Sequence, residues 1–438
     1  FFLDLHEKYH GPHGLIAGST GSGKSEFIVT CLLSLAVNFH PDEVQFVLID
    51  YKGGGLAMAF DNHETGKRIP HVVGTITNLD TAEMNRTLVS INSELKRRQR
   101  MFNEAKSVTG ESTIDIYKYQ RYYRDGVLET PISHLFIVSD EFAELKAQQP
   151  EFMNELISTA RIGRSLGVHL ILATQKPTGV VNDQIWSNTK FRVCLKVADR
   201  SDSMEMLKRP EAASIKETGR FYLQVGFDEY FDIGQSGWAG AKYIPRDAVI
   251  KKVDDTIKFV DNVGTVTRTI TEIVKRVEKE EKGDQLSNIV KHITEIADAE
   301  NYVPQKLWLD KIPSEIYLGN LKQKYNYKAE PYVINPIIGE YDKPAAQMQG
   351  LLTLNLSQNN TLIYGMNDSG KEDLLATLIY SAIADHTPDE LHMYILDFGS
   401  ETLKVFSKAP QVGEVCTVEN QEQIINMFVM IDKELDRR

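Results

Sequence analysis

Apolar positions along this chain fall into short unbroken runs that end in glycine or acid, separated by stretches where they recur every three or four residues. The runs include Gly14-Leu15-Ile16-Ala17, Val44-Gln45-Phe46-Val47-Leu48-Ile49-Asp50, Leu135-Phe136-Ile137-Val138-Ser139-Asp140-Glu141 and Val168-His169-Leu170-Ile171-Leu172-Ala173-Thr174-Gln175. Runs of this length and punctuation predict strands buried on both faces, as in a parallel sheet. Residues 25–37 place Phe27, Ile28, Cys31, Leu32 and Leu35 at helical spacing. Strands alternating with helices give an α/β fold with mainly parallel sheets, whose ligands sit at the carboxyl ends of the strands. Further on, Ile257, Val260 and Val263, then Ile270, Ile273, Val274 and Val277, recur at helical spacing, and Ile289, Ile293 and Ile296 continue an amphipathic helix. The charged run from Lys275 to Lys282 reads as a solvated helix end. Pro304, Pro313, Pro331 and Pro336 then punctuate an extended connector.

The pattern repeats. Gly18-Ser19-Thr20-Gly21-Ser22-Gly23-Lys24-Ser25 satisfies G-x4-G-K-[ST] at every position, and Gly365-Met366-Asn367-Asp368-Ser369-Gly370-Lys371-Glu372, 347 residues later, satisfies all but the last. Pro41-Asp42-Glu43 before the second run is answered by Pro388-Asp389-Glu390 at the same offset, and Glu94-Leu95-Lys96-Arg97-Arg98 by Glu434-Leu435-Asp436-Arg437-Arg438. The chain is therefore expected to hold tandem P-loop NTPase domains: residues 1–245 with intact motifs, a helical and extended linker over 246–342, and a second, degenerate copy over 343–438. Phe1-Phe2-Leu3-Asp4-Leu5 reads as an edge strand entering a domain already under way. The second copy stops before any match to Asp140-Glu141, so a piece of a longer protein is expected.

Composition narrows the classes. At 438 residues, 42% hydrophobic and 25% charged, the chain is an ordinary globular one with room for two or three domains. No stretch of 18 or more apolar residues occurs. Cys31, Cys194 and Cys416 are scattered, which argues against structural zinc and suits a reducing compartment. His10 and His13 have no acidic or thiol companion that would make them metal ligands. A net charge of −12 sets the surface as a whole against nucleic acid, though a basic pore stays open.

The first motif has the strand–loop–helix setting its chemistry needs. Gly18, Ser19, Thr20, Gly21, Ser22 and Gly23 let backbone N–H groups curl around phosphate at the positive end of a helix dipole. Lys24 reaches the β- and γ-phosphates, and the Ser25 hydroxyl is a Mg²⁺ ligand. At the end of the acidic strand Asp140 would hold Mg²⁺ through water, and Glu141 would act on the attacking water as general base. The bland reading of that pair is two solvated acids. Gln175 is placed to sense the γ-phosphate or position water, or else simply caps a helix. ATP and Mg²⁺ are the ligands implied. Gly365, Gly370 and Lys371 of the second copy would bind nucleotide weakly, because Glu372 brings a carboxylate where the hydroxyl should be.

Several further segments follow in order: Asp50-Tyr51-Lys52-Gly53-Gly54-Gly55, Pro70-His71-Val72-Val73-Gly74, Thr77-Asn78-Leu79-Asp80, Arg161-Ile162-Gly163-Arg164-Ser165-Leu166-Gly167, Ala173-Thr174-Gln175-Lys176-Pro177 and Gly219-Arg220-Phe221-Tyr222-Leu223-Gln224-Val225-Gly226. Together they resemble the FtsK/SpoIIIE superfamily, with RecA/FtsK-like domains, and within it the EssC/EccC membrane ATPases of type VII secretion. Lys52-Gly53-Gly54-Gly55 and Asn182-Asp183-Gln184-Ile185-Trp186-Ser187-Asn188 favour the secretion branch. The resemblance covers essentially the whole chain, more loosely past residue 245, and places it as a second domain and the front of a third. It implies an ATPase motor for protein export at the cytoplasmic face of the cell membrane, anchored through another part of the protein. It also implies WXG100-type secreted substrates, other secretion-system membrane subunits as partners, a hexamer in the machine, and a linker that packs on the neighbouring domain and gates it, with Trp308 as the contact. One departure is Met204 after Asp202-Ser203, where the superfamily often has an arginine acting in trans; Arg200 is out of register. Two other functions remain in view: a DNA translocase, which would need a basic channel, and a nucleotide-responsive scaffold with little turnover.

Overall fold

The structure is a computed structural model that describes residues 3–6, 8–50, 54–77, 81–227, 229–244, 257–270, 283–304, 306–309, 311–366, 368–399 and 401–438. The chain divides into two compact units, Phe1–Trp308 and Leu309–Arg438. Among the described residues no helix is long and apolar enough to cross a membrane.

In the first unit the apolar runs become one eight-stranded sheet. Its strands are β1 (Gly14–Ala17), β2 (Val44–Asp50), β3 (Val72–Ile76), β4 (His134–Asp140), β5 (Val168–Thr174), β6 (Phe191–Leu195), β7 (Arg220–Val225) and β8 (Tyr230–Gln235), in the order β3-β2-β4-β5-β1-β6-β7-β8. The first six are parallel, and β7 and β8 extend the sheet antiparallel. Alternate strand residues face opposite sides. Leu15, Val47, Ile49, Ile137 and Leu172 enter one buried cluster, while Ile16, Phe46, Leu48, Val138 and Ala173 enter the other. Both faces are covered, which is why these strands read as continuous apolar runs.

The helices are α1 (Lys24–Asn38), α2 (Gly55–Met58), α3 (Thr81–Thr109), α4 (Ile116–Arg124), α5 (Phe142–Gln148), α6 (Pro150–Gly163), α7 (Asp183–Asn188) and α8 (Arg200–Leu207), with α9 (Gln285–Ala299) further along. Ile91 and Leu95 of α3 and Met153 and Leu156 of α6 fill the first face; Ile28 and Leu32 of α1, Leu56 of α2 and Val290 of α9 fill the second. Register pairs Asp50 with Asp140 and Ala17 with Thr174. Four strand ends therefore meet at one edge of the sheet.

The linker departs from its pattern. The helix read through Ile257, Val260, Val263 and Ile270 is a β-hairpin, β9 (Ile257–Val260) paired antiparallel with β10 (Val266–Ile270). Turn chemistry overrides the spacing: Asp261 Oδ1 accepts the N–H groups of Val263 (3.0 Å) and Thr265 (2.8 Å), and Gly264 sits at φ 84°. Ile273, Val274 and Val277, and the charged run from Lys275 to Lys282, lie outside the described residues, as do Phe1 and Phe2; residues 3–5 form no strand. The helix read through Ile289, Ile293 and Ile296 is α9; Leu286, Ile289 and Ile293 pack on the first unit's core, while Ile296 is exposed. Asn62 Nδ2 donates to Thr294 Oγ1 (2.8 Å) under α9. Trp308, the last residue of the first unit, packs within it: the Leu307 N–H donates to the Val73 carbonyl (3.0 Å), and a Cβ on Gly74 would fall 2.5 Å from the indole.

The second unit contains α10 (Leu318–Lys324), β11 (Ile337–Lys343), β12 (Met348–Thr353), α11 (Lys371–Asp385), β13 (Met393–Leu396), β14 (Val412–Cys416) and α12 (Gln421–Arg437). Its small core gathers Leu378, Ile379, Ile395, Leu403, Val412 and Val415. The repeat is literal here. Both ends of α11 lie 347 residues after those of α1, and β14 and the start of α12 lie 340 after β3 and the start of α3.

Candidate active site

The intact loop joins β1 to α1. Gly21 (φ 78°) and Gly23 (φ 93°) take left-handed backbone that glycine adopts at least cost, and Gly23 caps α1 so that Lys24 is its first residue. Gly18 answers a different constraint, since a Cβ there would fall 2.5 Å from Ser22 Oγ. The strand ends hold the loop from outside. The Gly18 N–H donates to the Thr174 carbonyl (3.1 Å), the Ser19 N–H to the Lys196 carbonyl (2.8 Å), and the Gly219 N–H to the Ser22 carbonyl (2.8 Å). Free amides at the head of α1 carry the positive end of its dipole, so this loop is shaped for an anionic phosphate.

Lys24 is buried and ion-paired with Asp140. Ser25 Oγ lies 3.5 Å from Asp140 Oδ2. A hydroxyl and a carboxylate oxygen side by side are the donor set of a hard divalent cation, so Ser25 and Asp140 fit Mg²⁺. Glu141 follows on a left-handed backbone (φ 58°, ψ 50°) and caps α5. That twist turns its buried side chain toward β5, where Glu141 Oε1 accepts the Thr174 hydroxyl (3.1 Å) and the Gln175 N–H (3.2 Å). Gln175 reaches the other way: its Oε1 accepts the Thr20 hydroxyl, 3.0 Å. Lys24, Ser25, Asp140, Glu141 and Gln175, spread over 152 residues of sequence, therefore converge at one mouth.

Other sequence candidates take structural positions. Asp50 Oδ2 accepts the Leu56 N–H (2.7 Å) and shapes the start of α2; Tyr51, Lys52 and Gly53 lie outside the described residues, as do Asn78, Leu79 and Asp80. Asp202 accepts the Thr178 hydroxyl at 2.6 Å, and the Ser203 hydroxyl donates to the Arg209 carbonyl at 2.6 Å, so the pair folds inward; Arg200 is exposed at the head of α8. His13 belongs to the core, its Nδ1 accepting the Leu170 N–H at 2.9 Å, and burial pushes its imidazole down to about 3. Sequence reasoning gave no role to Thr174, Lys196 or Gly219. Thr174 had a signal in its place directly before Gln175 at a strand end, and Gly219 in opening one of the segments that carry the family resemblance.

In the second copy Gly365 repeats Gly18, with a Cβ there 2.4 Å from Ser369 Oγ, and Gly370 (φ 78°) repeats Gly23. Asp368 stands where the first copy has Gly21 and holds φ 60° with a side chain that tolerates it. Glu372 sits in the first turn of α11, where a carboxylate favours the helix but competes with phosphate for the same amides. Asn367 lies outside the described residues, and Leu362 and Tyr364, just before the loop, are exposed.

Residues 2–179 and 336–438 match the FtsK/SpoIIIE family. Over 443 residues the chain is 44% identical to the type VII secretion system protein EssC of Staphylococcus aureus (strain Mu50 / ATCC 700699), covering 100% of this chain and 29% of that protein. It is 42% identical over 447 residues to the ESX secretion system protein YukB of Bacillus subtilis (strain 168), covering 100% and 28%. Among solved structures, the cytoplasmic domain of the Thermomonospora curvata type VII secretion ATPase EccC matches with a TM-score of 0.73 and 26% identity, over 98% of this chain and 45% of that one. The chain thus spans less than a third of the length of the two sequence relatives.

Proposed function

The chain belongs to the FtsK/SpoIIIE family, and from that premise we propose that its first unit hydrolyses Mg-ATP as a motor domain of a type VII protein secretion machine. The observation that carries the catalytic part is the bridge through Gln175, whose backbone holds Glu141 and whose side chain meets Thr20 of the phosphate loop. The loop amides and Lys24 would hold the phosphates, and Asp140, now paired with Lys24, would yield that lysine to them. Ser25 and Asp140 would hold Mg²⁺, which supplies positive charge to the phosphate oxygens. Glu141, buried beside the loop, takes the proton of the attacking water.

The export function extends the names of the EssC and YukB relatives to this chain. In that reading WXG100-type proteins are the cargo, other membrane subunits of the machine are partners, and the working form is a hexamer on the cytoplasmic face of the membrane, anchored through other parts of the protein. Functionally we assign 1–245 as the ATPase domain, 246–342 as the linker and 343–438 as a degenerate domain whose Gly365, Gly370 and Lys371 bind nucleotide weakly. A DNA translocase is not favoured, because the relatives at 42–44% identity carry secretion names.

The test separates binding from chemistry. Lys24→Ala should abolish tight Mg-ATP binding, whereas Glu141→Gln should keep it and slow hydrolysis about a hundredfold or more. Equal loss of binding in both variants, read by nucleotide titration beside phosphate release, would refute the assignment of Glu141.

A further inference from the structure

We propose that Thr174 is a positioning residue for hydrolysis, fixing the carboxylate of Glu141 through its hydroxyl. The inference rests on the reading of Glu141 as general base. Thr174 ends β5, is 1% exposed, and touches the phosphate loop and Glu141 at once. Its carbonyl accepts the Gly18 N–H of the phosphate loop at 3.1 Å. Its hydroxyl lies 3.1 Å from Glu141 Oε1 and 3.3 Å from the Lys176 carbonyl, and also accepts the Lys176 N–H at 3.3 Å. A hydroxyl has one proton to give. The buried carboxylate is the nearer acceptor, and a charged acceptor makes the stronger bond, so the proton goes to Glu141. The Lys176 N–H feeds the hydroxyl oxygen from behind, and such a chain strengthens its forward bond.

The Gln175 N–H donates to the same oxygen at 3.2 Å. Residues 174–176 thus form a short receptor that grips one end of the Glu141 carboxylate. Glu141 needs such a grip because its own backbone is left-handed, an unfavourable state for a residue with a Cβ, which persists only where the surroundings hold it. Because the strand end that grips Glu141 also holds Gly18, and Gln175 also holds Thr20, the base is kept in register with the phosphate loop.

The isosteric Thr174→Val keeps the branched shape that a strand prefers and removes only the donor. In the full chain its kcat for Mg-ATP should fall about tenfold or more, the cost of losing one bond to a charged group, with Mg-ATP affinity within about threefold of wild type. Thr174→Ser, which restores the hydroxyl, should bring kcat back to within about threefold. Should Thr174→Val melt well below the wild type, Thr174→Ala replaces it, since it lacks the hydroxyl and sets no methyl against the carboxylate. Turnover by the valine variant at the wild-type rate, a serine variant as slow as valine, or loss of affinity in step with turnover would each overturn the positioning role. A wild type that binds Mg-ATP without hydrolysing it would bring down the general-base reading and this one together, whereas an active wild type with an equally active valine variant brings down this one alone.

Discussion

Two helices of this chain carry the same three-residue bond pattern, α3 in its middle and α12 at its end, and could hardly differ more in surroundings. In α3, Glu94 accepts Arg97 Nε at 2.7 Å and Arg98 Nε at 2.8 Å; in α12, Glu434 accepts Arg437 Nε at 2.7 Å and Arg438 Nε at 3.0 Å. Arg98 is 1% exposed and also donates to the Ser133 and Leu166 carbonyls at 2.7 and 3.0 Å, whereas Arg438 is 75% exposed. The aspartates repeat in the same way: Asp50 accepts the Leu56 N–H, and Asp397 the Leu403 N–H at 3.1 Å. Local sequence reproduces local geometry twice over. What that geometry contributes depends on what is packed around it.

The largest test of this difference is a matched pair of substitutions. Arg98→Ala strips a buried carboxylate of one partner and leaves two carbonyls unpaired, and should cost about 3–5 kcal/mol. Arg438→Ala removes the same bond in water and should change stability by less than about 0.5 kcal/mol. Urea unfolding of both variants reads the contrast directly, and similar losses would mean that burial does not set the value of the bond.

Acid should act next, on the first unit. Burial lowers the His13, His71 and His169 imidazoles to about 3, 4 and 4, and His134 well below its usual value. All four are neutral in both states more than about one unit above pH 6.5, so they give no pH dependence there. As pH falls below that, the unfolded chain binds protons that the folded one refuses, and stability drops until the folded values are reached near pH 4. For fully buried His169 alone the loss approaches about 3 kcal/mol. Denaturation midpoints at pH 7, 6 and 5 should therefore fall steadily; a flat series would show that these buried imidazoles, the His134–His169 pair with 2.8 Å between its ring nitrogens among them, take up protons in the fold as readily as in the unfolded chain.

A smaller contrast separates the two loops. Gly23→Ala forces a Cβ onto left-handed backbone 3.0 Å from the Gly219 nitrogen, whereas a Cβ at Gly370 meets nothing within 4 Å. Gly370→Ala should cost about 1 kcal/mol, the conformational penalty alone, and Gly23→Ala clearly more, with loss of nucleotide binding. Melting temperatures of the two variants check the order.

The smallest effect expected is a gain. Glu372→Ser removes a carboxylate from beside the second loop and restores a hydroxyl ligand, and should tighten Mg-ATP binding there by about threefold to tenfold. Calorimetry on the chain carrying Lys24→Ala, which silences the first site, isolates this change. Unchanged or weaker binding would show that the Glu372 carboxylate is not what limits the second loop.

Much of this molecule is written in short stretches of sequence. Buried strands announce themselves as unbroken apolar runs, glycine and lysine mark the loop, and Asp140-Glu141 marks a strand end, because each depends on residues adjacent in the chain. The periodicity of residues 257–270 misled, since Asp261 and Gly264 make a turn whose local hydrogen bonds outweigh the spacing of apolar side chains. Tertiary structure alone decided the rest. It brought Thr174 and Gln175 to Glu141 across 33 and 34 residues, drew α9 and Trp308 into the first unit, and buried Arg98 while its repeat stayed in water. Those outcomes depend on which strand lies beside which and on what excludes solvent, and neither is a property of any local stretch of chain.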